Sequence, residues 1–93
     1  MKITRTEEYQ SELLEILKYI ANDKISASKI FRVELNKQIK NIPTFPYKYK
    51  KSIYFNDESI RDMTFKKYTI NYEVDLNENT IFIFSIFKQN KPS

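Results

Sequence analysis

The sequence contains no cysteine, no histidine and no glycine among its 93 residues. Without cysteine the chain has no disulfide framework and no thiolate zinc site. Without histidine it lacks the side chain that most often exchanges protons near neutral pH and most often binds metals. Without glycine it can form neither a Walker loop nor a G-x-G-x-x-G dinucleotide loop. These absences exclude many enzyme classes, and we expect no metal and no cofactor.

The residues that are present predict one globular domain over residues 1–93. Hydrophobic residues make up 41% of the chain and aromatic residues 15%, a composition that argues against disorder. Sixteen basic residues against twelve acidic ones give a net charge of +4, and each half of the chain (1–40 and 41–93) holds eight basic and six acidic residues. A basic surface attracts phosphates, anionic lipids or acidic proteins. No segment is strongly polarised, however, and a lysine-rich composition is typical of an AT-rich genome.

No segment predicts a membrane or export signal. The first residues contain no apolar stretch of the kind found in signal peptides. The longest apolar-rich run, residues 81–87, is too short to cross a bilayer. We therefore expect a cytoplasmic protein without membrane contact.

Two amphipathic helices are predicted in the first half. Thr6 and the glutamates after it are typical of a helix start, because the hydroxyl accepts a hydrogen bond from a free backbone N–H and carboxylates favour the positive end of the helix dipole. Apolar residues then recur at helical spacing, at Tyr9, Leu13, Ile16, Leu17 and Ile20. After Asn22 and Asp23, a second helix capped by Asp23 or Ser26 is expected to end at Pro43. Its stripe consists of Ala27, Phe31, Leu35, Ile39 and Ile42. The short connection predicts an antiparallel helix hairpin.

The second half is predicted to form strands. Residues 44–59 show neither a helical nor a strand period of apolar residues. In residues 60–65 and 68–74, apolar and polar side chains alternate as they do in half-buried strands. Residues 75–79 form a hairpin loop in which asparagine is the residue best able to adopt a positive φ. Residues 80–87 are apolar on both faces, which predicts a central strand. Alternation places Ile81, Ile83 and Phe87 on one face and Phe82, Phe84 and Ile86 on the other.

A short edge strand over residues 1–5 completes the predicted order β-α-α-β-β-β. The expected fold is α+β with two layers. An N-terminal strand and an antiparallel helix hairpin pack on a C-terminal antiparallel sheet.

This layout resembles the RelE/ParE superfamily of toxins from type II toxin–antitoxin systems over nearly the whole chain. The resemblance is carried by Thr6-Glu7-Glu8-Tyr9 with the apolar stripe that follows, by the second stripe ending in proline, and by residues 61–75. That last stretch has Arg61 on a strand, then Tyr68-x-x-x-Tyr72 and Val74-Asp75. Lys67 departs from the pattern, since many relatives have glycine there, and we expect it to alter the turn.

The resemblance implies a growth-inhibiting toxin that a cognate antitoxin neutralises, with operator DNA contacted only through the antitoxin. RelE-like members cut mRNA in the ribosomal A site. ParE-like members, which are linked to plasmid stabilization, inhibit DNA gyrase and cut nothing.

RNA cleavage requires a group that removes the 2′-hydroxyl proton, a group that protonates the leaving oxygen, and cations beside the phosphate. RelE-like toxins carry lysines on the strand before the Tyr-x-x-x-Tyr motif, an arginine inside the next strand, and an arginine and a tyrosine near the C-terminus. The strand positions here hold Ile60, Asp62, Thr64 and Thr69. The tail reads Lys88-Gln89-Asn90-Lys91 and contains no tyrosine. The ParE-like interpretation is therefore favoured.

Three hypotheses remain open. In the first, the chain is a gyrase inhibitor whose target-binding residues are Arg61, Lys66, Lys67, Lys88 and Lys91. In the second, it is a ribosome-dependent mRNA endonuclease with a rearranged site drawn from Lys48, Lys50, Lys51, Arg61 and Lys88. In the third, it is a non-toxic relative that binds the antitoxin and contributes to operon autorepression.

Several of these residues also have a purely structural interpretation. The aromatic and cationic residues 47–51 form either a stacking platform for nucleic acid or a solvated loop with its rings against the helices. Arg61 either faces the target or pairs with a carboxylate such as Asp62 or Glu73. Tyr68 and Tyr72 are predicted in the core. The last set, Phe82, Phe84 and Ile86, either binds the antitoxin, which we favour, or lies under the chain's own helices.

Overall fold

The computed structural model describes residues 1–88 and shows a helix hairpin packed on one face of a mixed sheet. The elements in chain order are β1 (Lys2–Arg5), α1 (Glu7–Asp23), α2 (Ile25–Lys40), a 3₁₀ turn (Ile42–Thr44), β2 (Lys50–Lys51), β3 (Ile60–Phe65), β4 (Tyr68–Asp75) and β5 (Thr80–Lys88). The sheet order is β1-β5-β4-β3-β2, with β1 parallel to β5 and the other pairs antiparallel. The predicted α+β layout is confirmed, and β2 is an addition inside the segment that was expected to be irregular. Within the described residues, no helix has the length and apolarity to cross a bilayer.

The start of α1 is the predicted one, whereas the start of α2 is not. The Thr6 Oγ1 accepts a hydrogen bond from the Tyr9 amide at 3.2 Å, and two glutamates occupy the first turn. The predicted capping of α2 by Asp23 or Ser26 is wrong, because Lys24 occupies the cap position and no side chain bonds there. A single extended residue joins the helices, so Asp23 still belongs to α1 and Ser26 already lies in the first turn of α2.

Replacing Thr6 with alanine is therefore expected to lower the free energy of unfolding by about 1 kcal/mol, because the Tyr9 amide loses its acceptor. Ser26→Ala is the matched control and is expected to change stability by less than about 0.5 kcal/mol. Urea denaturation followed by circular dichroism measures both values. Equal losses in the two variants would contradict the capping assignment.

The hydrophobic core lies between the helix hairpin and the inner face of the sheet, as the two apolar stripes predict. The α2 stripe is buried at Phe31, Leu35 and Ile39. Phe31 meets Phe65 and Tyr68 edge to face, with ring centroids 5.1 and 5.4 Å apart, a favoured geometry for aromatic pairs. The sheet contributes Met63, Phe65, Ile70, Tyr72, Val74, Ile81, Ile83 and Ile86.

A β-bulge in β5 changes which of its residues face the core. Asn71 pairs with Ser85 while its neighbour Tyr72 pairs with Ile83, so Phe84 is the extra residue. The alternation reverses at this point, and Ile86, which is 1% exposed, joins the core face. The predicted faces of Ile86 and Phe87 are therefore wrong, because strict alternation cannot anticipate an inserted residue.

Two non-glycine residues adopt a positive φ at the turns of the sheet. Asn79 has a φ of 51° at the end of the β4–β5 loop, as the absence of glycine predicts. In the β3–β4 turn the residue with positive φ is Lys66, at 55°, one position before the Lys67 that departs from the family pattern. The Lys66 ammonium lies 3.7 Å from a Glu34 carboxylate oxygen and within 6 Å of the Phe31 and Phe65 ring centroids, contacts that hold the turn.

Candidate functional site

Arg61 lies on the helix-facing side of β3 and holds the segment that precedes the strand. Its Nε donates to the Glu58 carbonyl at 3.0 Å and its Nη1 donates to the Tyr49 carbonyl at 3.2 Å. Its Nη2 is 3.5 Å from a Glu58 carboxylate oxygen, and its guanidinium lies 4.9 Å from the Tyr47 ring centroid. The side chain is 16% exposed. Arg61 thus pairs with a carboxylate, but with Glu58 and not with Asp62 or Glu73.

Tyr72 fastens the same segment from inside the core. Its hydroxyl donates to the Pro46 carbonyl at 2.6 Å, and its ring meets that of Tyr49 edge to face at 6.4 Å. Burial raises the pKa of Tyr72 above its usual range, with a smaller raising effect from Tyr49. The predicted core position of Tyr72 is confirmed.

Asp62 fastens the segment on the opposite, outer face of the sheet. Its Oδ1 accepts from the Asn71 Nδ2 at 2.6 Å and its Oδ2 accepts from the Ile53 amide at 3.2 Å. Asp57 closes the turn nearby, and hydrogen bonds from the hydroxyl and amide of Ser59 lower the pKa of the Asp57 carboxyl. The Asp62 carboxylate is therefore a structural acceptor that joins β3 to β4 and to the segment before β3.

An open cleft of about 440 Å³ lies between this segment and the outer face of the sheet, and we call it the outer cleft. Its walls include Lys48, Lys50, Lys51, Tyr49, Tyr54 and Asp62. The Lys51 ammonium lies 3.5 Å from a Glu58 carboxylate oxygen, and the Lys48 ammonium lies 5.5 Å from the Tyr49 ring centroid.

The outer cleft brings together three of the five candidate nuclease residues and leaves two elsewhere. Lys48, Lys50 and Lys51 line it, whereas Arg61 is on the opposite face of the sheet and Lys88, the last residue of β5, is not among the lining residues. Sequence reasoning missed Tyr54, which lies in an irregular segment where no period marks its orientation.

A second group of lysines gathers at one end of the sheet, and we call it the basic sheet end, made of Lys66, Lys67 and Lys88. Lys66 and Lys67 form the β3–β4 turn, and Tyr68, which follows them, pairs with Lys88 on the neighbouring strand. Burial raises the pKa of Tyr68. Arg61 is near the other end of β3, and Lys91 lies outside the described residues.

An apolar groove of about 530 Å³ adjoins the basic sheet end. It is lined in part by Ile16, Tyr19, Tyr68 and Phe87, with Lys88 at its margin. Tyr19 is 72% exposed. Glu12 and Glu15 also line this groove, so the aromatic surface beside the basic sheet end meets charges of both signs.

The outer face of β5 is covered partly by the chain's own loop and not by its helices. The Phe84 ring centroid lies 5.5 Å from that of Phe55, and the Phe87 centroid lies 5.1 Å from that of Tyr54. Phe82 is half-buried on this face. Of the three candidate antitoxin-binding residues, only Phe82 and Phe84 therefore belong to the outer face, because Ile86 is inside the core.

A family model described as the ParE toxin of the type II toxin–antitoxin system parDE matches residues 3–92. No curated protein sequence matches the chain at a significant level. Across residues 1–88 no group of three or more side chains is arranged to hold a metal ion. The family match spans both helices and all of the sheet described above except Lys2. The chain therefore belongs to the ParE toxin family of type II toxin–antitoxin systems.

Proposed function

We propose that this toxin arrests growth by binding a bacterial topoisomerase, DNA gyrase, and that a cognate antitoxin neutralises it. Membership of the family supports a toxin with an antitoxin partner. The choice of target is our inference from the arrangement of charged groups on the sheet.

The observation that carries the proposal is the orientation of the side chains of β3. Arg61, the one cation of this strand, points to the helix side and is held there by Glu58 and by two backbone carbonyls. The outer face of β3 presents Asp62 and Thr64 to the outer cleft. The Asp62 carboxylate accepts two hydrogen bonds, so it is not free to act as a general acid or base. Its negative charge also cannot stabilise a phosphate, which requires a cation. This arrangement favours binding over cleavage.

We place the target contact at the basic sheet end. Lys67 and Lys88 present positive charge at one edge, beside the exposed ring of Tyr19, and Lys66 next to them is paired with Glu34. Positive charge steers association with an acidic surface, and aromatic side chains are enriched at interfaces. We include Lys91 in this contact because it lies three residues after Lys88 in the sequence. Arg61 contributes by holding residues 47–58 in position.

We place antitoxin contact on the outer face of β5, at Phe82 and Phe84. Both rings are half-buried on the face of the sheet opposite α1 and α2, and Phe55 covers part of Phe84. Partly covered aromatic surface on so small a protein is a typical interaction site.

The outer cleft supports a second candidate, a ribosome-dependent mRNA endonuclease. Lys48, Lys50 and Lys51 line it together with Tyr49 and Tyr54, and its volume is about 440 Å³. Lysines bind the phosphates of a nucleotide, and neighbouring aromatic rings stack on its base. Each stacked base contributes about 1–3 kcal/mol to the binding free energy. If transcripts are cut in induced cells, the outer cleft is where we expect the RNA to bind.

Two matched triple variants separate the candidates. One replaces Lys66, Lys67 and Lys88 with glutamine, and the other replaces Lys48, Lys50 and Lys51 with glutamine, so both remove three positive charges. Each purified protein is tested for inhibition of gyrase supercoiling, and transcripts from induced cells are mapped by primer extension. We expect wild-type toxin to inhibit supercoiling, the first variant to lose at least tenfold in inhibition, and the second to retain it.

The opposite pattern would support the endonuclease. If wild-type toxin at saturation leaves supercoiling unimpaired, gyrase is excluded as the target. If transcripts also show codon-phased cuts that only the Lys48/Lys50/Lys51 variant loses, the outer cleft is the site of RNA cleavage. Harmless expression of the wild type in the absence of antitoxin would exclude both and leave the non-toxic, autorepressing role.

A further inference from the structure

A third basic site lies on the helix layer, far from the residues invoked so far. A groove of about 620 Å³ runs along the seam between α1 and α2, and we call it the helix-seam groove. Arg5, Arg32 and Lys40 line it together with Tyr9, and Leu13 and Leu17 give it an apolar part. Arg5 and Lys40 come to the same end because the helices are antiparallel, so the start of α1 lies beside the end of α2.

The three cations of this groove have no counter-charge. None of Arg5, Arg32 and Lys40 forms an ion pair within residues 1–88, and no Asp or Glu lines the groove. The four ion pairs of the described chain use other lysines and Arg61. Like charges in one partly enclosed space repel each other, and a bound anion relieves that repulsion.

Tyr9 gives an independent indication of a missing partner. The residue is 0% exposed, and its hydroxyl has no hydrogen-bond partner among the described residues. Burial raises the pKa of Tyr9 to about 12, opposed in part by the charge of Arg5, so at neutral pH the hydroxyl keeps its proton and needs an acceptor. Arginine and lysine side chains only donate. Buried hydroxyls are nearly always partnered in native structures.

We propose that the helix-seam groove binds a phosphate-bearing small anion, with Arg5, Arg32 and Lys40 neutralising its charge. The Tyr9 hydroxyl is fully covered in the free chain, so it donates to an oxygen of the anion only when the side chains over it move aside on binding. Phosphate supplies several acceptors and a concentrated negative charge, which match a site made of donors. Leu13 and Leu17 offer room for an organic part, so the source is either inorganic pyrophosphate or a nucleotide. This binding site does not depend on the proposed target.

Isothermal titration of the full chain with pyrophosphate, ATP and, at matched ionic strength, sulfate tests the proposal. We expect pyrophosphate or ATP to bind at least tenfold more tightly than sulfate. The double variant Arg32→Gln/Lys40→Gln is expected to weaken this binding at least tenfold. The control Lys18→Gln/Lys24→Gln removes the same charge from exposed positions outside the groove and is expected to change binding less than threefold. Tighter binding of ATP than of pyrophosphate identifies a nucleotide, and binding of ATP no tighter than that of pyrophosphate identifies inorganic pyrophosphate; both support the site.

Tyr9→Phe separates a binding role from a packing role. Because the hydroxyl has no partner among residues 1–88, its removal is expected to leave the melting temperature of the free protein unchanged or raised while weakening anion binding several-fold. A lowered melting temperature with unchanged anion binding would overturn the role of Tyr9. Binding no tighter than that of sulfate, or an equal loss in the Lys18/Lys24 control, would overturn the site.

Discussion

Arg61→Ala is expected to lower the free energy of unfolding by about 2–3 kcal/mol, because hydrogen bonds to charged groups are among the strongest and their loss leaves partners unsatisfied. The guanidinium holds the carbonyls of Tyr49 and Glu58, the Glu58 carboxylate and the Tyr47 ring at once. Urea denaturation measures the loss. Hydrogen exchange is expected to rise mainly at the amides of residues 47–58, since the variant releases that segment first.

Lys51→Ala is the matched control for this prediction. Lys51 pairs with the same Glu58, at 3.5 Å, but its side chain is 39% exposed. Exposed ion pairs contribute little, so we expect a change within about 0.5 kcal/mol. If Arg61→Ala keeps full stability and loses toxicity, Arg61 contacts the target directly and its contacts to residues 47–58 are secondary.

A steep loss of stability above pH 10 is the second large expected effect. Tyr9 and Tyr72 are fully buried, and burial raises the pKa of Tyr9 from 10.0 to about 12 and that of Tyr72 further. In the unfolded chain both rings titrate near pH 10, so above that pH the unfolded state binds fewer protons than the native state. Stability is therefore fully present below pH 10 and is lost as the pH rises through the native pKa. For Tyr9 the loss amounts to roughly 2–3 kcal/mol between pH 10 and 12.

Single phenylalanine variants measure the contribution of each ring. Tyr9→Phe and Tyr72→Phe are expected to flatten the fall of unfolding free energy between pH 9 and 12, whereas Tyr19→Phe, at a position 72% exposed, is expected to leave the slope unchanged. Lysine titration is common to all three proteins and cancels in the comparison. The same slope in all three would show that the buried rings do not control alkaline unfolding.

The features that could be predicted from the sequence are those set by local geometry. The apolar stripe Phe31, Leu35 and Ile39 marks the buried side of α2 because a helix repeats every 3.6 residues. Thr6 starts α1 and Asn79 takes the positive φ because each choice depends on one residue and its neighbours. The same local rules failed at Ile86, where one inserted residue reversed the alternation.

The site depended on approaches between distant parts of the chain. Strand alternation already separates Asp62 from Arg61, but only the fold shows that Glu58 is the partner of Arg61 and that Asp62 turns outward to Asn71 and Ile53. Likewise, Arg5 and Lys40 look like ordinary surface charges in the sequence, and only the antiparallel helices bring them to one groove.

By itself the sequence determined the order of the elements, the core stripes, the absence of histidine and cysteine chemistry and the family, because these depend on composition and on periods of a few residues. The tertiary structure alone decided which lysines share a cleft, which carboxylate pairs with Arg61, that Ile86 is inside, and that the Tyr9 hydroxyl has no partner among residues 1–88. A side chain's partners are set by contacts across the fold, and those contacts form only when the helix hairpin closes on the sheet.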